Sequence, residues 1–363
     1  MLNKLLQKIF PKKFGDYWKK NRSNFNFDNE IRSITDNFIL SDSYKFVSNQ
    51  WHLLNILTYE KISKSGLENY GSDISTHFFT FLDFENEYLE NLIFKDIKCS
   101  NDGELFKLHK NLNYKQSLNY NLLCMMLYKK LKLSKYFNFL EKLNDKTYLE
   151  SNNPFIKIEK YNITSDKIVS LFDLEKIEKF KMLRDSFKIL EIGAGSGRVS
   201  ECIMSIKNRV VYIICDIPPA LYISYKRMKS AFPDKKINLI FDVDKPSFID
   251  EINRNDISFI FPHQLEFFSD NFLDIVIAID CFHEFDKKTL KYYFNNINRI
   301  TSHVYFSIWS KTKNWYSGSL FKKTERLDFK KGDYPVPKNW NNKLMENLEF
   351  PSNQIALGYD IKN

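Results

Sequence analysis

The second half of this chain is predicted to form an α/β domain with a mostly parallel, doubly wound sheet, preceded by a mostly helical first half. Three observations predict it. From Phe187 onward, short β-rich apolar runs alternate with helical patterns, the rhythm of a parallel sheet with crossover helices. Three of the ten glycines fall in one heptapeptide between the first such run and a helix. Before about residue 145, apolar residues instead recur at helical spacing.

Taken in order, the opening MLNKLLQKIFPKKFGDYWKK has apolar Leu5, Leu6, Ile9 and Phe10 interrupted by lysines. It lacks the continuous apolar run of a signal peptide and is read as an amphipathic helix docking on its own domain, with a basic face that could also lie on a membrane surface. Trp51, Leu54, Ile56, Leu57 and Ile62, then Leu122, Leu123, Met126, Leu127 and Leu131, carry the helical period. The polar stretch Asn144 to Asn153, followed by Pro154, reads as a connection. It divides the chain into a helical domain, 1–150, with a substrate, partner or oligomerisation role, and a catalytic domain, 151–363. A helix from about Thr164 to Arg184 follows, with Ser165 and Asp166 suited to cap it. The strands are Phe187–Ile192, Val210–Cys215, Ile257–Phe261, Asp274–Ile279 and Val304–Trp309. Val199, Cys202, Ile203 and Ile206 mark a helix packed on that sheet. Ile237–Val243 reads either as a further strand or as part of an insertion.

The chemistry starts at Glu191-Ile192-Gly193-Ala194-Gly195-Ser196-Gly197. Glycines at alternate positions let the chain turn sharply out of a strand and remove Cβ atoms where a ligand meets the backbone, beside the free amides of a helix N-terminus. A nucleotide-like ligand is implied, and with it a Rossmann-like domain. Dinucleotide sites use G-x-G-x-x-G with a small third residue for close helix packing, and Arg198 stands there instead. Glu191, two residues before the glycines, would not help a phosphate loop; it suits an ammonium-bearing ligand held by a charge-assisted hydrogen bond. At the next strand end, Asp216, followed by Ile217, is placed to accept ribose hydroxyls. His263 or Gln264, after the third strand, bonds an adenine ring or only shapes the loop. The fourth strand delivers Asp280, His283 and Glu284 at its carboxyl end, the edge where open α/β sheets bind ligands. His283 is the candidate general base for a hydroxyl acceptor, with Glu284 or Asp280 orienting its ring; a structural histidine is the competing reading. Asp280 and Glu284 without further visible ligands do not make a magnesium site, so no metal is assigned.

Together the glycine loop, Asp216, Phe261-Pro262-His263-Gln264-Leu265-Glu266 and Asp280-Cys281-Phe282-His283-Glu284 resemble the class I S-adenosylmethionine-dependent methyltransferases over about Phe187 to Ser310. More narrowly, Tyr59-Glu60, Gly66-Leu67-Glu68-Asn69, Pro262–Glu266 and Tyr334-Pro335-Val336-Pro337-Lys338-Asn339-Trp340 are similar to bacterial sugar O-methyltransferases. The resemblance implies a Rossmann-like methyltransferase domain that methylates a sugar hydroxyl, on a sugar nucleotide or surface-glycan precursor. Contacts to S-adenosylmethionine are expected at Glu191, Gly193, Gly195, Gly197, Asp216, Ile217, Gln264 and Asp280, with His283 and Glu284 catalytic. Related enzymes pair an Asp-x-x-His segment with magnesium, which Asp280 and His283 match, but Ser310-Lys311-Thr312-Lys313 stands where a further acidic pair is expected. The Thr312–Pro351 segment is expected to help shape the acceptor site.

Composition bounds the rest. With 43% hydrophobic and 27% charged residues the chain reads as globular rather than disordered. The formal charge of +9 sits in a Lys-, Asn-, Ile- and Phe-rich sequence, so it argues weakly for an anionic partner. Five scattered cysteines with no C-x-x-C pair point away from a zinc or redox site and suit a reducing cytoplasm. Nucleic-acid methylation is disfavoured, because Asp280-Cys281-Phe282-His283 is not the Asp/Asn-Pro-Pro-aromatic loop of amino-methylating DNA enzymes. Methylation of another small molecule, a non-catalytic cofactor-binding scaffold and a homo-oligomer stay open at this point.

Overall fold

The computed structural model describes residues 14–25, 27–66, 69, 102–110, 112–143, 154–241, 244–313, 326–328, 334–348 and 354–362. The expected connection at 144–153 lies outside the described residues, as do Met1 to Lys13 of the opening segment and Leu67 and Glu68. The first half contributes α1 (Phe14–Asn21), α2 (Asn29–Leu40), α3 (Asn49–Ser65), the single turn α4 (Asp102–Leu105) and α5 (Tyr114–Leu131). A small hairpin, β1 (Ile156–Ile158) and β2 (Tyr161–Ile163), leads into α6 (Ser165–Phe180). Its cap is Thr164, whose hydroxyl accepts from the Lys167 amide, in place of the expected Ser165 and Asp166.

The sheet chain then runs β3 (Lys188–Ile192), α7 (Arg198–Ile206), β4 (Val211–Cys215), α8 (Ala220–Ala231), β5 (Ile237–Leu239), α9 (Lys245–Arg254), β6 (Ile257–Ile260), β7 (Ile275–Ile279), α10 (Lys287–Ile300) and β8 (His303–Trp309). After a short pair, β9 (Lys311–Lys313) with β10 (Arg326–Asp328), come β11 (Trp340–Leu348) and β12 (Gln354–Ile361). The main sheet has the order β11-β12-β8-β7-β3-β4-β6-β5. Its pairs from β8 to β5 are parallel, while β12 runs antiparallel between β8 and β11. The predicted α/β fold is therefore present, and Ile237–Leu239 is a strand at its edge.

The two faces of the sheet bury alternate residues, as a pleated strand requires. Ile189, Tyr212, Ile214, Ile257, Phe259, Ile275, Ile277 and Tyr305 point into one cluster, which also holds Val199, Cys202, Ile203 and Ile206 of α7. Leu190, Ile213, Ile260, Val276, Ala278, Val304 and Phe306 point into the other, against Phe248 and Ile252 of α9 and Leu290, Phe294 and Ile297 of α10. Covered on both sides, β7 can be the wholly apolar IVIAI. Trp18, Ile31, Phe38, Tyr59 and Leu127 of the helical half join the first cluster, so that half shares an apolar core with the sheet.

The described part of the 312–351 segment builds sheet. Residues 340–348 form β11, and Trp340 is buried with its indole N–H donating to Asn298 Oδ1 at 2.8 Å. Several residues that carry the narrower family resemblance are packing residues too: the Tyr59 hydroxyl meets Thr35 Oγ1 at 2.6 Å, and Glu60 accepts from the Tyr17 hydroxyl at 2.7 Å. No described helix is long and apolar enough to cross a membrane.

Candidate active site

The turn from β3 into α7 uses its three glycines for three different reasons. All have positive φ, 70° at Gly193, 58° at Gly195 and 77° at Gly197, where an L side chain is strained. A Cβ on Gly193 would lie 2.7 Å from Cys281 Cβ, so this glycine lets the loop press against the end of β7. A Cβ on Gly197 would lie 3.0 Å from Ser224 Cβ, so it seats α7 on α8. A Cβ on Gly195 would meet nothing within 4 Å. Open space beside bare backbone is what a ligand needs.

Two half-buried arginines brace this loop from behind. Arg198, the first residue of α7, pairs through Nη1 with Asp173 Oδ2 of α6 at 2.5 Å and reaches Ser170 Oγ at 3.3 Å. Arg227 of α8 pairs with Glu201 and donates to Ser196 O and Oγ at 3.4 and 3.3 Å. Sequence reasoning saw Arg198 only as a departure from the dinucleotide pattern; its partner, twenty-five residues upstream on another helix, carries no local signal.

Glu191 is buried at the end of β3, where its Oε2 accepts from the Tyr212 hydroxyl at 2.8 Å. Burial raises its pKa to about 7 against the opposing pull of Tyr212 and Arg198. Asp216, at the end of β4, accepts from the Gly195 amide through Oδ2 at 2.8 Å and from the Ile217 amide through Oδ1 at 2.7 Å. It thus ties the glycine loop to the second strand, and each oxygen keeps a second lone pair for a hydroxyl. Burial raises this acid too, to about 7, although both amides favour its charged form. Gln264 sits in the turn after β6, where its amide group is engaged with backbone: Oε1 accepts from Phe261 N at 2.9 Å and Nε2 donates to Ile240 O at 2.5 Å. Of the two sequence alternatives for Gln264, this placement is the loop-shaping one. His263 binds outward, its Nδ1 2.6 Å from Ser43 Oγ in the helical half.

Asp280, His283 and Glu284 are together after β7. Asp280 has a positive φ of 56°; its Oδ2 accepts from Gln354 Nε2 at 3.0 Å, and its Oδ1 is buried without a hydrogen-bond partner. Burial raises its pKa to about 7, with Arg198 pulling the other way. The His283 ring lies near-parallel to Trp309, centroids 4.9 Å apart, with both ring nitrogens buried and unpartnered. Burial lowers its pKa to about 3. Its Nε2 is 3.9 Å from Glu284 Oε1, and burial together with the nearby Asp280 charge raises Glu284 to about 8. Trp51 of α3 opposes that rise from outside normal hydrogen-bond geometry. Four carboxyls at one sheet edge are therefore held near neutrality by burial. Among the described residues no three His, Cys, Asp or Glu side chains converge to hold a metal ion, and Asp280 with His283 gains no third ligand there.

The helical half covers this edge. Phe38 packs edge-on to Phe261, Phe46 stacks on Tyr292 at 3.7 Å, and the Tyr222 hydroxyl donates to Asp28. Ser48, which precedes α3 as its N-cap, and Trp51 and Asn55 of α3 follow one helical stripe, and Ser48 Oγ, Trp51 Nε1 and Asn55 Nδ2 are buried without hydrogen-bond partners. Sequence periodicity marked Trp51 as core and passed over Ser48 and Asn55.

No family model matches this sequence, and no curated protein matches it. Among solved structures, the chain is similar to magnesium protoporphyrin IX methyltransferase from Synechocystis PCC 6803 with bound S-adenosylhomocysteine, at 12% identity and a TM-score of 0.37 over 66% of this chain and 100% of that one. It is similar to a protein of Pyrococcus horikoshii OT3 at 15% identity and a TM-score of 0.37, over 63% and 99% of the two chains. A third similarity, to a SAM-dependent methyltransferase from Aquifex aeolicus, has 14% identity and a TM-score of 0.32 over 53% and 92%.

Proposed function

We propose that this protein is an S-adenosylmethionine-dependent O-methyltransferase acting on a hydroxyl of a small acceptor, a sugar or sugar nucleotide. The observation that carries the cofactor reading is the edge itself: bare backbone at Gly195 faces open space at the edge that also holds the buried Glu191 and Asp216 and the half-buried Asp280, acids that a positively charged ligand would ionise. The donor set fits this group, which combines a sulfonium, an ammonium and a ribose; a phosphate-bearing dinucleotide would meet the same acids with like charge. When bound, it supplies an electrophilic methyl group. Asp216 offers its remaining lone pairs to the ribose hydroxyls, and the loop backbone lies along the nucleoside.

His283 and Glu284 act as a unit on the acceptor. Burial keeps the imidazole neutral, and its near-parallel packing on Trp309 holds the ring in place, so a nitrogen lone pair is available to an incoming hydroxyl. A proton taken up there would make a buried cation, which ionised Glu284 at 3.9 Å offsets. The helical half supplies the acceptor wall through Ser48, Trp51 and Asn55. Sugar as the acceptor class is supported by the sequence resemblance and by unmatched polar atoms on the stripe that brings Trp51 beside Glu284.

Calorimetry with S-adenosylmethionine, S-adenosylhomocysteine and NAD tests the cofactor. Binding of the first two without NAD is expected, and selective NAD binding would overturn the reading. Incubation with isotopically labelled cofactor and a panel of sugar nucleotides, glycan fragments and nucleic acids, read by mass spectrometry, tests the acceptor. Transfer confined to nucleic acid would remove the sugar assignment.

A further inference from the structure

Far from the candidate active site, the end of the molecule where α5 and α6 finish combines positive charge with outward-facing apolar side chains. Residues 129–142 hold five lysines and one acid, Glu141. Leu133, in the turn after α5, is 90% exposed. Residues 179–184, at the end of α6, add Lys179, Lys181 and Arg184, with Asp185 next. Met182 stands among them and is 55% exposed.

Hydrogen bonds place both turns at one end. Ser134 Oγ donates to Glu175 Oε2 at 3.0 Å, and the Tyr136 hydroxyl donates to Glu178 Oε2 at 2.6 Å. Lys207, which follows α7, pairs with Glu178 Oε1 at 2.5 Å and donates to Leu183 O at 3.0 Å. Because α7 starts at the glycine loop and its 9 residues advance the chain by about 13 Å, this end lies away from the candidate cofactor edge.

The neighbouring acids are already engaged: Glu159 pairs with Lys132 at 2.7 Å, and Glu141 with Lys160. Lys135 and Lys142 are exposed, each with its Nζ over a ring, 5.4 Å from the Tyr136 centroid and 5.3 Å from that of Phe139. Lysines in the last turn of a helix offset its dipole, and Lys129, Lys130 and Lys179 stand there. That role does not account for a leucine and a methionine turned outward among them. A soluble polyanion would attract the charges and leave both apolar side chains in water. A bilayer with anionic headgroups takes both, the cations at its phosphates and the apolar tips at the acyl boundary.

We propose that this end docks on an anionic bilayer surface, with Leu133 and Met182 entering the headgroup layer and Lys135, Lys142 and Arg184 against its phosphates. Docked in this way, the protein keeps its candidate active edge turned to solution. The proposal does not depend on the cofactor reading.

The test is co-sedimentation of the full chain with vesicles of phosphatidylcholine alone and of phosphatidylcholine mixed with phosphatidylglycerol. Wild type should partition onto the mixed vesicles only, and less as salt is raised. Leu133→Asp should weaken partitioning by about 10- to 100-fold, and Lys135→Glu combined with Lys142→Glu by at least about 10-fold. All three side chains are exposed, and Met182→Asp at the second turn should repeat the effect of Leu133→Asp. Failure of wild type to bind the mixed vesicles would overturn the proposal. So would binding that survives these substitutions, which would assign the contact to another surface. Heparin, a soluble polyanion, is the control: wild-type affinity for it equal to that for the vesicles, with Leu133→Asp altering neither, would overturn the bilayer in favour of a polymer.

Discussion

His283 and Glu284 carry the chemistry proposed for the acceptor, and their buried positions make opposite demands on pH. His283→Ala should leave cofactor affinity nearly unchanged and cut turnover by about 10²- to 10⁴-fold, the usual contribution of a general base; calorimetry and a methyl-transfer assay separate the two, and unaltered turnover would make His283 a structural residue. Glu284 must be ionised to offset a proton on the imidazole. Because burial places its pKa at about 8, turnover should rise with pH through that value, and Glu284→Gln should flatten the alkaline limb of the profile. The acids proposed to face the cofactor give a second pH signature. Glu191, Asp216 and Asp280 are raised from ordinary carboxylate values to about 7, so between about pH 4 and 7 the folded protein holds protons that the unfolded chain has lost. Their contribution to stability is complete below about pH 4 and is lost as pH rises through about 7. A cationic ligand favours the ionised acids, so its binding should tighten from pH 6 to 8 and release protons. Calorimetry in buffers of different ionisation enthalpy counts those protons, and proton uptake would contradict the scheme.

Two glycines separate the work of the loop from the work of the sheet. Gly195 has a positive φ and open space, so Gly195→Ala adds backbone strain of about 1 kcal/mol and intrudes where the cofactor is proposed to lie. It should lower Tm modestly and weaken cofactor binding strongly. Gly358 lies inside β12, where an added Cβ would sit 2.5 Å from the Phe180 ring of α6. Overpacking of this kind costs about 1 to 3 kcal/mol, so Gly358→Ala should lower Tm more than Gly195→Ala. Thermal denaturation with and without S-adenosylhomocysteine checks the pair; a smaller Tm loss for Gly358→Ala would place the packing elsewhere.

The helical half and the sheet form one body around the site, joined through a shared apolar cluster and through Ser43 with His263 and Phe46 with Tyr292. If α3 is the acceptor wall, its unmatched polar atoms are there for a ligand and burden the free protein. Asn55→Leu removes a buried, unpartnered amide nitrogen and keeps the branching and number of side-chain heavy atoms, so the free protein should hold or gain stability. Cofactor affinity should stay within about twofold and transfer to the acceptor should fall, the signature of a wall that touches only the acceptor. A loss of cofactor affinity instead would put α3 over the cofactor.

Periodicity and the glycine loop made the parallel strands, α7 and the candidate ligand edge legible, because these depend on residues close in sequence: a two-residue alternation, a three-to-four-residue helical repeat, a strand end followed by bare backbone. Asp216 and Asp280, each directly after a strand, and His283 and Glu284, in the turn that follows β7, were placed at this edge by the same local pattern. The last strands, β11 and β12, were not read, since β12 is buried between two neighbours and Gln354–Ile361 shows no clean alternation. Gln264 was read as a ligand contact or a loop-former, and only its backbone partners in space distinguish these. The same holds for Arg198 with Asp173 and for Trp51 over Glu284. Such pairs join residues from 25 to 233 positions apart, and whether a buried acid is neutral or charged depends on what the folded chain packs around it. Local pattern thus determines where the candidate ligand edge lies, and long-range packing determines which of its polar atoms are left unmatched.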